Sequence, residues 1–131
     1  MKPIDDKTLM EEAIKARENS YAPYSNYRVG AALVTKSGKI YCGCNIENSA
    51  YSATVCAERV AVFKAVSENA GEIMKIAICG GKDRLDPSCM PCGECRQVLS
   101  EFSSDIEIIT GDINSLTKFK LSELLPGAFK I

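Results

Sequence analysis

The sequence predicts a three-layer α/β/α sandwich around a mixed five-stranded sheet, and three observations carry that prediction. Segments of helical and strand periodicity alternate along 131 residues in the order αββαβαββα. Apolar residues are 46% of the chain, enough to cover both faces of a sheet. No internal repeat, low-complexity tract or Pro/Ser linker divides it, so residues 1–131 are expected to form one domain.

The elements follow in order. Residues 5–20 set Leu9, Met10, Ala13, Ile14 and Arg17 at helical spacing behind Asp5 or Asp6 as N-cap. Residues 21–27 form an aromatic-rich loop in which Pro23 disfavours helix. Residues 28–36 and 39–46 read as a β-hairpin around Ser37-Gly38. Residues 54–68 are apolar on nearly every side of a helix, which predicts a central, buried element. Ile73–Cys79 reads as a buried strand ending at Gly80-Gly81, and a loop with Pro87 and Pro91 leads to a helix over 92–102. Arg84 to Pro87 reads as a solvated part of that loop. Strand 106–110, a short edge strand near 117–121 and a helical turn before Pro126-Gly127 complete the chain.

Composition excludes several functions. The chain has 16 Lys and Arg against 17 Asp and Glu, a formal net charge of −1, with no basic stripe for polynucleotide phosphates. The longest apolar runs, Val29 to Val34 and Val60 to Phe63, are too short to span a bilayer, and the first six residues hold no apolar signal core. The expectation is a soluble cytoplasmic protein without a nucleic-acid or membrane partner. There is no histidine, so histidine triads and histidine metal sites are excluded. The seven cysteines, an odd number, read in a reducing compartment as metal ligands, nucleophiles or core residues rather than disulfides.

Two stretches concentrate the chemistry, Thr54-Val55-Cys56-Ala57-Glu58-Arg59 and Pro91-Cys92-Gly93-Glu94-Cys95-Arg96, both at predicted helix starts. Pro91 suits the first helical turn, where an N–H is not needed. Cys92 and Cys95, three residues apart, share a helical face, and the partial positive charge of helix N-termini favours thiolate. Two such termini facing each other would set Cys56, Cys92 and Cys95 around one zinc, leaving the fourth tetrahedral position open to water. Glu58 lies roughly 200° around a helix from Cys56, outside the ligand set but able to face that position. An activated water beside a proton-carrying carboxylate suits hydrolytic deamination. Three thiolates leave surplus negative charge on zinc, so Arg59 is expected to point at the sulfurs and withdraw part of it.

Cys-Ala-Glu followed by Pro-Cys-x-x-Cys resembles the cytidine deaminase family in its short-chain form, a signature shared by zinc deaminases generally. The resemblance runs along nearly the whole chain, through Tyr24–Ala32, Asn45-Ile46-Glu47-Asn48 and Leu124–Phe129. It implies one Zn2+ per chain on Cys56, Cys92 and Cys95, and hydrolytic deamination of free cytidine and 2′-deoxycytidine in pyrimidine salvage. In that scheme zinc-bound hydroxide attacks C4 while Glu58 shuttles protons. Asn45 and Glu47 would hold the ribose 3′-hydroxyl, the Ala57 backbone the base, and Tyr27 and Phe129 its faces. Tyr51 would reach a sugar hydroxyl. The family form is a homotetramer whose active sites are completed by neighbouring subunits, Phe129 and Tyr51 crossing the interface. Three positions depart from the pattern: Tyr27 stands where phenylalanine is common, Met90 where serine is usual, and Cys89 extends the run to Cys-x-x-Cys-x-x-Cys.

Plainer readings stand beside these. Cys42, Cys44 and Cys79 read as small core hydrophobes, and the tyrosines as packing residues. Glu58 could be an ordinary helix residue beside Arg59, Asn45 and Glu47 ordinary turn residues, Phe129 a plug on its own core, and Glu94 a solvent-facing side chain. A closed four-cysteine structural site using Cys89 would make the chain a zinc-stabilised binding module. An iron–sulfur cluster lacks its usual fourth cysteine. A deaminase of cytosine-nucleoside antibiotics shares the cysteine motifs, but the intact Asn45-x-Glu47 argues for an ordinary ribose.

Overall fold

The computed structural model describes residues 3–131; residues 1 and 2, where the expected domain begins, lie outside it. Among the described residues, five strands form one sheet in the order β2-β1-β3-β4-β5: β1 Arg28–Thr35, β2 Ile40–Cys44, β3 Ile73–Gly81, β4 Glu107–Asp112 and β5 Ser115–Lys120. β3 and β4 run parallel and the other neighbours antiparallel, so the sheet is mixed as expected. The helices are α1 Asp6–Arg17, α2 Ala57–Ser67, α3 Gly93–Glu101 and the short α4 Leu121–Leu124.

Strand alternation builds the two cores. Ala31, Leu33, Ile76, Ile78 and Ile108 face a cluster with Ala61, Val62 and Leu99 of α2 and α3. Their neighbours Ala32, Val34, Ala77, Cys79 and Ile109 face Leu9, Met10 and Ala13 of α1. The result is three layers, with α1 alone on one side. Asp5 caps α1, its Oδ1 accepting from the Thr8 amide at 2.7 Å.

Two glycines allow the helices to sit close. A Cβ at Gly30 would lie 2.0 Å from the Ala13 carbonyl oxygen, and one at Gly43 would lie 2.4 Å from that of Ala57. Gly43 therefore lets the first turn of α2 rest directly on β2, which fixes where Cys56 stands. In Cys42-Gly43-Cys44 the glycine, rather than the thiols, carries the positional information.

Three details differ from the expectation. α2 starts at Ala57 rather than 54, because Ile46 and Val55 exchange backbone hydrogen bonds of 3.0 Å that hold the chain extended up to Cys56. β3 continues through Gly80 and Gly81, which pair with Val29 and Arg28. α2 is not buried all round either, since Phe63 is 47% and Val66 44% exposed on its outer side. No helix among the described residues is long and apolar enough to cross a membrane.

Candidate active site

The N-termini of α2 and α3 meet at one end of the sheet. Cys56 is the N-cap of α2 and Cys92 the N-cap of α3, so both thiols stand where unpaired helical N–H groups favour negative charge. Pro91 therefore precedes the cap instead of occupying the first turn. The Cys92 sulfur accepts from the Cys95 amide at 3.4 Å, as a capping side chain does.

The three sulfurs converge. Cys56 Sγ and Cys92 Sγ are 3.7 Å apart, Cys92 Sγ and Cys95 Sγ 3.3 Å, and all three lie within 4.8 Å of one another. Tetrahedral zinc with Zn–S bonds of about 2.3 Å sets its sulfurs about 3.8 Å apart, so the cluster fits that ion with small adjustments. Cys89 is not part of the group. Its side chain is buried, 2.8 Å from where a Cβ on Gly80 would sit, and burial pushes its thiol up to about 11.

Electrostatics favour a shared proton among the sulfurs. Cys95 donates toward Cys56, and together with Arg59 and Cys92 it draws the Cys56 thiol down to about 5. Cys95, facing the Cys56 sulfur and buried, is shifted upward. Arg59 Nη2 reaches Cys56 Sγ at 3.5 Å, and the buried Arg59 Nε has no partner among the described residues. An orphaned guanidinium N–H beside thiols matches a site whose sulfurs carry charge. Arg59 pairs through Nη1 with Glu94 at 3.4 Å, so Glu94, although 70% exposed, belongs to this network. Glu58 is 3% exposed, and burial, reinforced by the Cys56 thiolate, pushes its carboxyl up to about 7.

A cavity of about 400 Å³ opens over these groups, lined by Tyr27, Asn45, Cys56, Ala57, Glu58 and Cys92 among others. Val29, Thr54, Val55, Ser88, Cys89 and Met90 also line it; of these, Ser88 lies outside every motif the sequence brought forward. A larger cavity of about 700 Å³ lies along the edge strand, between α1 and α2. Its partly buried Cys42 packs against the α1-side core and Cys79 is buried within it, as expected, whereas the partly buried Cys44 belongs to neither core cluster; the metal cluster is elsewhere.

The residues expected to meet a sugar are already engaged in part. Asn45 Oδ1 accepts from the Val29 amide at 2.8 Å and from the Ser20 hydroxyl, while Nδ2 donates to the Tyr27 carbonyl at 2.8 Å. Glu47 Oε1 accepts the Tyr24 and Ser25 amides at 2.9 and 3.1 Å, and the Ser25 hydroxyl is the foremost cause holding its carboxyl below the usual range. Tyr51 is 80% exposed and forms, with Tyr24, Glu47, Asn48 and Thr54, a separate shallow recess. Phe129 is 67% exposed and outside the cavity, its carbonyl accepting from Gln97 Nε2 at 3.3 Å. Tyr41 packs in the core, but Tyr21 and Tyr24 join Tyr51 at the surface, against the packing reading.

A family profile described as the cytidine and deoxycytidylate deaminase zinc-binding region matches residues 3–110. A cytidine deaminase of Halalkalibacterium halodurans is 45% identical over 96% of this chain and 95% of its own length. One from Sporosarcina psychrophila is 47% identical over 96% and 92%. The crystal structure of a Burkholderia pseudomallei cytidine deaminase superposes with a TM-score of 0.85 at 41% identity, covering 96% of this chain and all of the other. With sulfurs spaced for zinc and a match that contains all three, the chain belongs to the zinc-binding cytidine and deoxycytidylate deaminase family.

Proposed function

We propose that the chain, a single domain over residues 1–131, catalyses the hydrolytic deamination of free cytidine and 2′-deoxycytidine to uridine and 2′-deoxyuridine with release of ammonia. The observation that carries the reading is the buried Glu58 in one cavity with the three-cysteine cluster. The relatives named cytidine deaminase supply the substrate class.

Cys56, Cys92 and Cys95 would hold one zinc, which as a Lewis acid makes water a nucleophile near neutral pH. Glu58 moves the protons. Buried beside the cluster, its carboxyl, raised from the ordinary carboxylate range, takes a proton from the attacking water and delivers it to N3 of the base. It then passes the second water proton to the C4 amino group as the C4–N bond breaks and ammonia leaves. Arg59 withdraws charge from the sulfurs.

The base lies against the Tyr27 ring and the Ala57 backbone, both in the cavity wall. Asn45 has one Nδ2 proton left for the ribose 3′-hydroxyl, and Glu47 retains acceptor capacity for it. Tyr51 and Phe129 act from neighbouring subunits of a homotetramer. Their exposure, with that of Phe63 and Val66 on α2, supports an assembly that covers these side chains. The enzyme then works in the cytoplasm, in pyrimidine salvage, on nucleosides rather than nucleic acid or membrane.

The test is ultraviolet loss of the cytosine chromophore on metal-quantified protein with cytidine, deoxycytidine and cytidine monophosphate. Turnover of both nucleosides with one zinc per chain supports the reading. Tightly held zinc without nucleoside turnover overturns it.

A further inference from the structure

One wall of the cavity is hydrogen-bonded to a residue outside its lining. Tyr27 Oη donates to Asp86 Oδ2 at 3.3 Å, across 59 residues of sequence. The other carboxylate oxygen of Asp86 accepts from the Ser88 amide at 2.9 Å and the Ser88 hydroxyl at 2.7 Å, an Asx turn built on Asp86-Pro87-Ser88. The Asp86 amide donates to the Gly80 carbonyl, and its own carbonyl accepts from the Cys89 amide at 3.1 Å. Asp86 thus ties together the end of β3, the Tyr27 ring and the segment leading to Cys92.

Gly80 makes the arrangement possible. A Cβ there would lie 2.8 Å from Cys89 Sγ, 2.9 Å from Val29 Cγ2 and 3.1 Å from Tyr27 Cε1. The bare backbone lets the ring and the thiol pack side by side over Gly80. The Ser88 hydroxyl, then the Ser88 amide, hold the Asp86 carboxyl below the usual carboxylate range, which keeps it an acceptor for the tyrosine. Phenylalanine at position 27 would leave that oxygen unused.

We propose that Asp86 is a positioning residue for the deaminase reaction, latching the Tyr27 ring to the 82–92 segment so that both form one fixed wall for the base. Its substrate side rests on the deaminase reading above. A 3.3 Å contact is long for an O–H···O bond, so the expected effect is several-fold rather than thousand-fold. It falls on substrate binding, because Asp86 touches neither substrate nor metal ligands.

Tyr27→Phe removes the hydroxyl, with its bond to Asp86 and its contact to the Cys89 thiol, and keeps the Asx turn; of these two contacts Asp86→Ala takes away only the first. Asp86→Ala removes the acceptor, and the double variant tests their coupling. Each single variant is expected to raise KM for cytidine about fivefold, with kcat changing less than twofold. The double variant should match either single one rather than multiply them. Amide hydrogen exchange of residues 82–92 should quicken in Tyr27→Phe, a readout that needs no turnover. Unchanged KM and unchanged exchange in Tyr27→Phe would overturn the latch, as would effects that multiply in the double variant. Faster exchange in a protein that never turns over cytidine would keep the latch and sink the deaminase reading.

Discussion

At one end of the cavity three thiols and a buried carboxyl stand on two helix starts that one chain packs against one sheet. At the other, Tyr51 and Phe129 are 80% and 67% exposed, and neither lines the cavity. The first end is complete within the chain because glycine contacts and helix caps fix it locally. The second has side chains of the right kind without a surface to close on. The metal cluster is thus built into the fold, whereas on the assembly proposed above substrate enclosure would need a neighbour.

The largest expected effects belong to the complete end. Cys95 is fully buried, so Cys95→Ser takes one sulfur from the cluster with nothing nearby to replace it. Zinc content measured by mass spectrometry should fall from one per chain to near none, with turnover. Retention of full zinc would mean the three-sulfur cluster is not the metal site. Glu58→Gln is nearly isosteric and lies outside the ligand set, so it should keep zinc while lowering kcat about 10³-fold. A kcat within tenfold of wild type would take Glu58 out of the proton path.

What was legible in the sequence divides along the same line. The hairpin, the buried strand and the rough positions of the helices announce themselves through local signals, Ser37-Gly38 and the apolar runs over 28–36 and 73–79, although α2 starts three residues later than expected. Hence the sandwich and the convergence of Cys56, Cys92 and Cys95 were readable from motifs. The Tyr27–Asp86 bond, between residues 59 apart, has no local signature, and 84–87 read as solvated loop although Leu85 packs beneath α1. Asn45 was legible as a site residue but not as the stitch between Val29, Ser20 and Tyr27, since those partners come from elsewhere in the chain. The exposed outer side of α2 was illegible for a different reason. Periodicity reports which residues are apolar, and leaves open whether the chain itself or another copy covers them.

The incomplete end should respond differently, and more modestly. Phe129→Ala removes an aromatic that the isolated chain leaves in water, so thermal stability of a dissociated chain should scarcely change. If a neighbour's Phe129 covers the base, KM should rise about tenfold, the scale of a buried aromatic contact. Activity per chain should also fall on dilution as the assembly separates, a trend to follow by light scattering alongside the assay. An unchanged KM with undiminished activity in dilute monomer would break the contrast and make the site complete in one chain.

The smallest effect separates Cys89, the first cysteine of the Cys-x-x-Cys-x-x-Cys run, from the other two. Cys89 packs with Tyr27 and Val29 over Gly80, and its thiol is pushed up to about 11, whereas Cys56 is drawn down to about 5. The same residue type is thus a wall component in one place and part of the sulfur cluster in the other, and the hydrogen bond from Cys95, with Arg59 and Cys92, makes the difference. Cys89→Ala should leave the zinc stoichiometry unchanged and cost about 1 kcal/mol of stability from the void left under the ring. That corresponds to a fall of a few degrees in Tm. A loss of zinc in Cys89→Ala would reverse the argument, because it would make the buried thiol a fourth ligand and close the position that water needs.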